Sequence, residues 1–132
     1  MVLKDREIGM LKAFLLAIVG VIALSGASFA QSVAGSYYMS GTGSKGQNYG
    51  GQVDIRMLTD ETCEIVWTYG TAGSYSSTCM VNRNVLTATY KVGDRPALII
   101  FHVLEDGTMV GRWSVIGYKI SGNEFLTPRR GN

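Results

Sequence analysis

TCEIVWTYGTAGSYSSTCM, residues Thr62 to Met80, holds both cysteines of the 132-residue chain, and its reading decides the fold. Two runs of alternating, β-favouring residues flank a glycine-containing middle, the pattern of a hairpin. A turn centred near Thr71 sets Cys63 opposite Cys79, Ile65 opposite Ser77 and Trp67 opposite Tyr75. One register thus places two thiols and an aromatic pair on the same face. Opposed positions of an antiparallel pair bring Cβ atoms close enough for a disulfide, and an oxidising compartment would keep that bond. The stretch therefore predicts a Cys63–Cys79 bond and an exported protein.

The N-terminus points the same way. Lys4, Arg6 and Lys12 make a positive start, Leu11 to Leu24 is apolar, and Ala27-Ser28-Phe29-Ala30 ends the run with small residues. That is the order of a secretory signal, with cleavage expected after Ala30 and with Met10 a possible alternative start. A membrane anchor is the alternative, but the uncharged run is shorter than the roughly 20 residues that a span needs. The cysteine that a bacterial lipoprotein would carry after the run is missing. Residues 1–30 are thus expected to be a signal peptide and residues 31–132 one small domain, with no membrane span after cleavage and a periplasmic or secreted location.

Taking away three of twelve basic and two of ten acidic side chains with that segment leaves the domain near +1. So small a charge argues against nucleic acid as a partner. Arg129 and Arg130 make a short basic tail that reads as a solvated terminus.

From Val33 onward, short alternating runs follow one another, bounded by Gly, Asn, Asp or Pro. Val33 to Thr42 is followed by Tyr49 to Leu58, where Val53, Ile55 and Met57 alternate with Gln52, Asp54 and Arg56. After the cysteine hairpin, Asn82-Arg83-Asn84 turns the chain into Val85 to Val92, and Gly93-Asp94-Arg95-Pro96 turns it again. Ala97 to Leu104 and Thr108 to Tyr118 flank the Asp106-Gly107 connection, and Glu124 to Thr127 is a short last strand. No helical period interrupts this series. The fold class is all-β, an antiparallel up-and-down barrel of about eight strands and calycin-like type, with a β-sandwich as the alternative. The inward set is then Tyr37, Val53, Ile55, Met57, Ile65, Trp67, Tyr69, Tyr75, Leu86, Ala88, Tyr90, Ile99, Phe101, Val103, Met109, Trp113 and Val115. Gly35, Gly51 and Gly111 fall on the same face, where Tyr37 and Trp113 could lie across the backbone. An interior so rich in rings is expected to be filled.

Two resemblances bear on this reading. Gly35-Ser36-Tyr37 and Gly111-Arg112-Trp113 resemble the glycine-x-aromatic strands of lipocalin-like and avidin-like barrels. More of the chain is covered by Cys63-x-Ile65-x-Trp67, Ser77-x-Cys79-Met80, Asp106-Gly107-x-x-x-Gly111-x-Trp113 and Glu124-x-Leu126-Thr127-Pro128. These look like a family of small exported Gram-negative bacterial proteins, mostly uncharacterised, some labelled fibronectin-binding. The resemblance implies a disulfide-bonded barrel and an adhesion or host-contact role, without residues that map onto that role.

Nothing in the chain assembles a reaction centre. His102 is the only histidine, sits between Phe101 and Val103, and points outward by alternation, with no second histidine or free thiol to complete a catalytic or metal site. Glu124 reads as a partner for Arg112 or a cap on a barrel end, and the Asp60-Glu61 and Glu105-Asp106 pairs read as solvated turns. Gly41 to Gly51, GTGSKGQNYGG, lacks the ending and the helix of a phosphate loop and reads as a flexible loop. Lys45, Asn48 and Tyr49 are its candidate contacts. No cofactor, metal or catalytic residue is expected.

The leading expectation is a non-enzymatic binding protein of the bacterial envelope or exterior. A calycin-like carrier of a small apolar ligand is the first alternative, and a small exported enzyme or enzyme inhibitor the second. The outward positions Val85, Leu98, Ile100 and Val110, with Arg112 and His102 at the edge, form a candidate surface for a protein partner or for self-association.

Overall fold

The computed structural model describes residues 32–71 and 73–131, so the expected signal peptide lies outside the described residues. Eight strands run in order: β1 (Gly35–Thr42), β2 (Asn48–Met57), β3 (Thr62–Thr68), β4 (Ser74–Asn82), β5 (Val85–Val92), β6 (Arg95–Val103), β7 (Met109–Val115) and β8 (Ser121–Pro128). Each pairs antiparallel with its neighbours in sequence, and β1 pairs with β8, closing the barrel. Closure lies wholly between Gly35 and Pro128, and it excludes the sandwich.

Alternation drives the arrangement. On β3, β6 and β7 every second residue is buried, the pattern of a sheet with one face on a core. The hairpin register matches the expectation: Cys63 pairs with Cys79, Ile65 with Ser77 and Trp67 with Tyr75. The disulfide joins β3 to β4 at a Cα separation of 4.9 Å.

Several strand limits shift by one or two residues from the sequence reading, and the largest shifts are at β7 and β8; β6 takes in Arg95 and Pro96, which the sequence reading places in a turn. β7 stops at Val115, because Ile116 and Gly117 turn the chain, Gly117 adopting φ 80° and Tyr118 N donating to Val115 O. β8 correspondingly starts earlier, at Ser121.

Crowding is relieved at inward glycines, though not all of the expected ones. Around Gly35 there is open space. A Cβ on Gly111 would strike the Phe101 ring, and one on Gly122 would strike the Trp113 ring and the Thr42 carbonyl. Trp113 thus lies across Gly122 of β8, and Gly111 accommodates Phe101.

The weakest seam is between β4 and β5, whose ladder runs only from Cys79/Ala88 to Asn82/Val85. Beyond it the strands are linked through Ser77 Oγ and Thr89 Oγ1, 2.7 Å apart.

Candidate functional site: the tyrosine-lined end of the barrel

The interior changes character along its axis. At the end where β1 begins and β8 ends, which also bears the β2–β3, β4–β5 and β6–β7 turns, Val33, Leu86, Phe101, Met109 and Leu126 are buried. Tyr37 completes that seal, its hydroxyl donating to Val33 O at 2.7 Å. At the opposite end, Tyr49, Tyr69, Tyr75 and Tyr90 are only half-buried. Their rings pack as a group with Trp67. Trp67 lies 5.4 Å from Tyr90 and 6.0 Å from Tyr75 between centroids, and Tyr75 meets Tyr90 edge-on at 5.9 Å. Tyr49 and Tyr69 are 6.2 Å apart. Tilted and edge-on contacts are the favourable geometries for such rings.

Beneath the tyrosines lies Glu124, the one charged or polar residue among the buried ones described. Its ladder neighbours on both sides are glycines, Gly41 on β1 and Gly111 on β7. The missing side chain at Gly41 lets a ring from the next strand fold in toward the carboxylate. Tyr49, paired with Gly41, occupies the space that a Cβ would take. The Tyr49 hydroxyl donates to Glu124 Oε2 and the Trp67 indole N–H to Oε1, both at 2.8 Å.

Burial raises the Glu124 pKa above its ordinary value, because a carboxylate loses its hydration there. The two donors oppose that rise by stabilising the ionised form. No basic side chain assists, since every described Lys and Arg, and His102, is exposed. Tyr49 is also pushed up, first by burial and then by the Glu124 charge and hydrogen bond. In Tyr69 and Tyr90 burial again dominates, with their hydroxyls paired at 2.9 Å. Tyr49, Tyr69 and Tyr90 therefore enter the site as uncharged groups at neutral pH. The buried Nε1 of Trp113 makes no bond within hydrogen-bonding geometry. It nonetheless lies close enough to Tyr49 to lower that phenol's pKa somewhat.

The structure corrects two of the sequence assignments. Asn48 and Tyr49, expected as loop contacts, are the first two residues of β2; Tyr49 points inward, whereas Asn48 is exposed at the rim, as is Lys45 in the turn. Glu124 neither pairs with Arg112 nor caps an end. Arg112 faces outward and reaches Ser121 Oγ at 3.4 Å. The two-residue period was the available signal: Leu126 is inward, so Glu124 must be too.

The residues of the expected outer surface face outward, Val85 only partly exposed, in an outline other than the expected one. Val85 pairs with His102 and His102 with Val110, while Ile100 pairs with Arg112. Arg112 and His102 thus sit inside the patch and not at its edge. The surface also continues past Val110 to the exposed Phe125 on β8.

No protein-family model and no curated protein matches the chain. Solved structures do. The structure of EF1p2_mFAP2b bound to DFHBI is similar at a TM-score of 0.59 and 15% identity, over 74% of this chain and 94% of that one. A redesigned β-barrel, b11L5F_LGL, is similar at 0.59 and 14% identity, over 80% and 100%. The likeness is one of fold.

Proposed function

We propose that the protein is a non-catalytic binding barrel that takes a small, largely apolar ring compound at its tyrosine-lined end. The observation that carries this reading is the half-burial of Tyr49, Tyr69, Tyr75 and Tyr90 above a buried carboxylate, opposite an end sealed by aliphatic packing. Aromatic faces offer apolar area with little rotamer freedom to lose, and their hydroxyls fix orientation. Barrels of this size hold side chains or one small ligand, and a barrel of similar fold was solved with DFHBI bound. The Glu124 carboxylate is held by two donors and lacks a neighbouring base or nucleophile, which favours binding over chemistry.

Titration of the Trp67 and Trp113 fluorescence with N-phenyl-1-naphthylamine tests the reading. Saturable quenching that weakens by about tenfold in Tyr75→Ala or Tyr90→Ala is expected. No saturable change, or one indifferent to both substitutions, would overturn it.

Export belongs to the same proposal and rests on the sequence of residues 1–30. Intact-mass analysis of protein from the periplasm or medium should find a chain beginning at Gln31. The adhesin role implied by the family resemblance gains no support from the comparisons, and an interaction role falls to the outer face.

A further inference from the structure

The exterior of the barrel is divided as sharply as its interior. On β2 and β3 the outward side carries charge of both signs, Asp54 and Arg56 beside Glu64, with Arg56 and Glu64 bridged at 3.1 Å. On β6 to β8 the outward side carries large apolar residues among polar ones: Leu98 is 53% exposed, Ile100 41%, Val110 37% and Phe125 41%, beside His102, Arg112, Ser114 and Asn123. Register makes these continuous, with Val110 between His102 and Phe125 and with Ile100 beside Arg112.

The charges decide what can cover this face. On the outward side of β5 to β8 the charged residues are Lys91 and Arg112, with His102 also outward and no acidic residue. Toward the tyrosine-lined end the face runs onto the β7–β8 turn, where Ile116 and Tyr118 are exposed beside Lys119. Arg95 lies over the Tyr118 ring at 4.0 Å. Of the acidic turn residues on this side, Glu105 and Asp106 are at the far end, and Asp94 of the β5–β6 turn stands alone among Lys91, Arg95 and Lys119 at the near one. A second copy meeting the face through its own would oppose Arg112 and Lys91 to like charges, a costly arrangement.

We propose that the β5–β8 face, with the β7–β8 turn, docks on an anionic lipid surface. Leu98, Ile100, Val110 and Phe125 would enter the interfacial layer while Arg112, Lys91, Arg95 and Lys119 meet headgroups, the combination by which peripheral proteins hold membranes. The acidic β6–β7 turn then points away from the bilayer, and the tyrosine-lined mouth lies near it.

The test uses the chain from Gln31, since the barrel closes between Gly35 and Pro128 and residues 1–30 would bind lipid on their own account. Co-sedimentation is measured with mixed phosphatidylglycerol/phosphatidylcholine vesicles and with pure phosphatidylcholine vesicles. Binding to the mixed vesicles only, weakened by salt, is expected. Arg112→Glu should reduce it about thirtyfold. Ile100→Thr with Phe125→Thr should reduce it at least about tenfold, with circular dichroism and melting unchanged. Absence of binding, equal binding to both vesicles, or variants that bind as the parent does would overturn the proposal. So would concentration-dependent self-association, or capture of an acidic protein, in place of vesicle binding, if either is abolished by the same substitutions.

Discussion

The two ends of the barrel come from the same alternating strands, yet one is filled mainly by aliphatic side chains and the other by half-buried tyrosines. At the sealed end the Tyr37 hydroxyl is satisfied by Val33 O, and the inward residues Leu86, Phe101, Met109 and Leu126 have no polar group that must be hydrogen-bonded. They need only matched shapes, and Gly111 supplies the room for Phe101. At the other end the inward residues are tyrosines, tryptophans and a carboxylate, each with a polar tip that must be bonded or wetted. The molecule answers by pairing Tyr69 with Tyr90 and by turning Trp67 and Tyr49 onto Glu124, and it leaves the Trp113 indole N–H buried without a partner. The difference teaches that aliphatic sealing and polar pairing are separated along the barrel axis.

The comparison breaks most visibly if the sealed end does not dominate stability. Phe101→Ala should cost about 3–5 kcal/mol, read as a fall in melting temperature or denaturant midpoint. A loss comparable to that of a single surface substitution would mean that the seal is not where folding energy resides. Replacing Cys63 and Cys79 by serine should cost about 3 kcal/mol on the chain-entropy model for a loop of this length. Thiol alkylation of the native parent should find no free cysteine, and two labelled thiols would contradict the bond.

Glu124 sharpens the contrast through pH. Its folded pKa is raised above the unfolded value, so its contribution to stability is fully present below the unfolded pKa, near 4.3 for an ordinary glutamate, and is lost as pH rises through the folded pKa. The parent should therefore lose stability relative to Glu124→Gln as pH rises from about 4 toward neutrality. Parallel stability curves for the two proteins would show that the carboxylate is not desolvated. Glu124→Ala is a separate case, because it leaves the Trp67 and Tyr49 donors buried without an acceptor and should cost about 2–3 kcal/mol at any pH. The smallest effect belongs to Tyr69→Phe, which removes one half-buried hydroxyl pair. It should cost about 0.5–1.5 kcal/mol, while changing probe binding at the open end.

Much of this architecture is legible in local pattern. Two-residue alternation assigns nearly all of the inward set, and the spacing of Cys63 and Cys79 about Thr71 gives the hairpin register residue by residue. Val85–Val92 has its strand limits in the sequence itself. These features are local, because a strand's faces and a hairpin's register follow from residues close in the chain.

Tertiary structure alone decided the site. Glu124 was legible as inward from its place two before Leu126, but its partners were not: Trp67 and Tyr49 stand 57 and 75 positions away in the sequence. Only closure of β1 on β8 brings Gly41 beside Glu124 and carries Tyr49 across to it. Alternation assigns a residue to a face, whereas the neighbours on that face depend on which strands meet and in what register. The open end and the outer patch are therefore properties of the closed barrel, while the strands that make them are properties of the sequence.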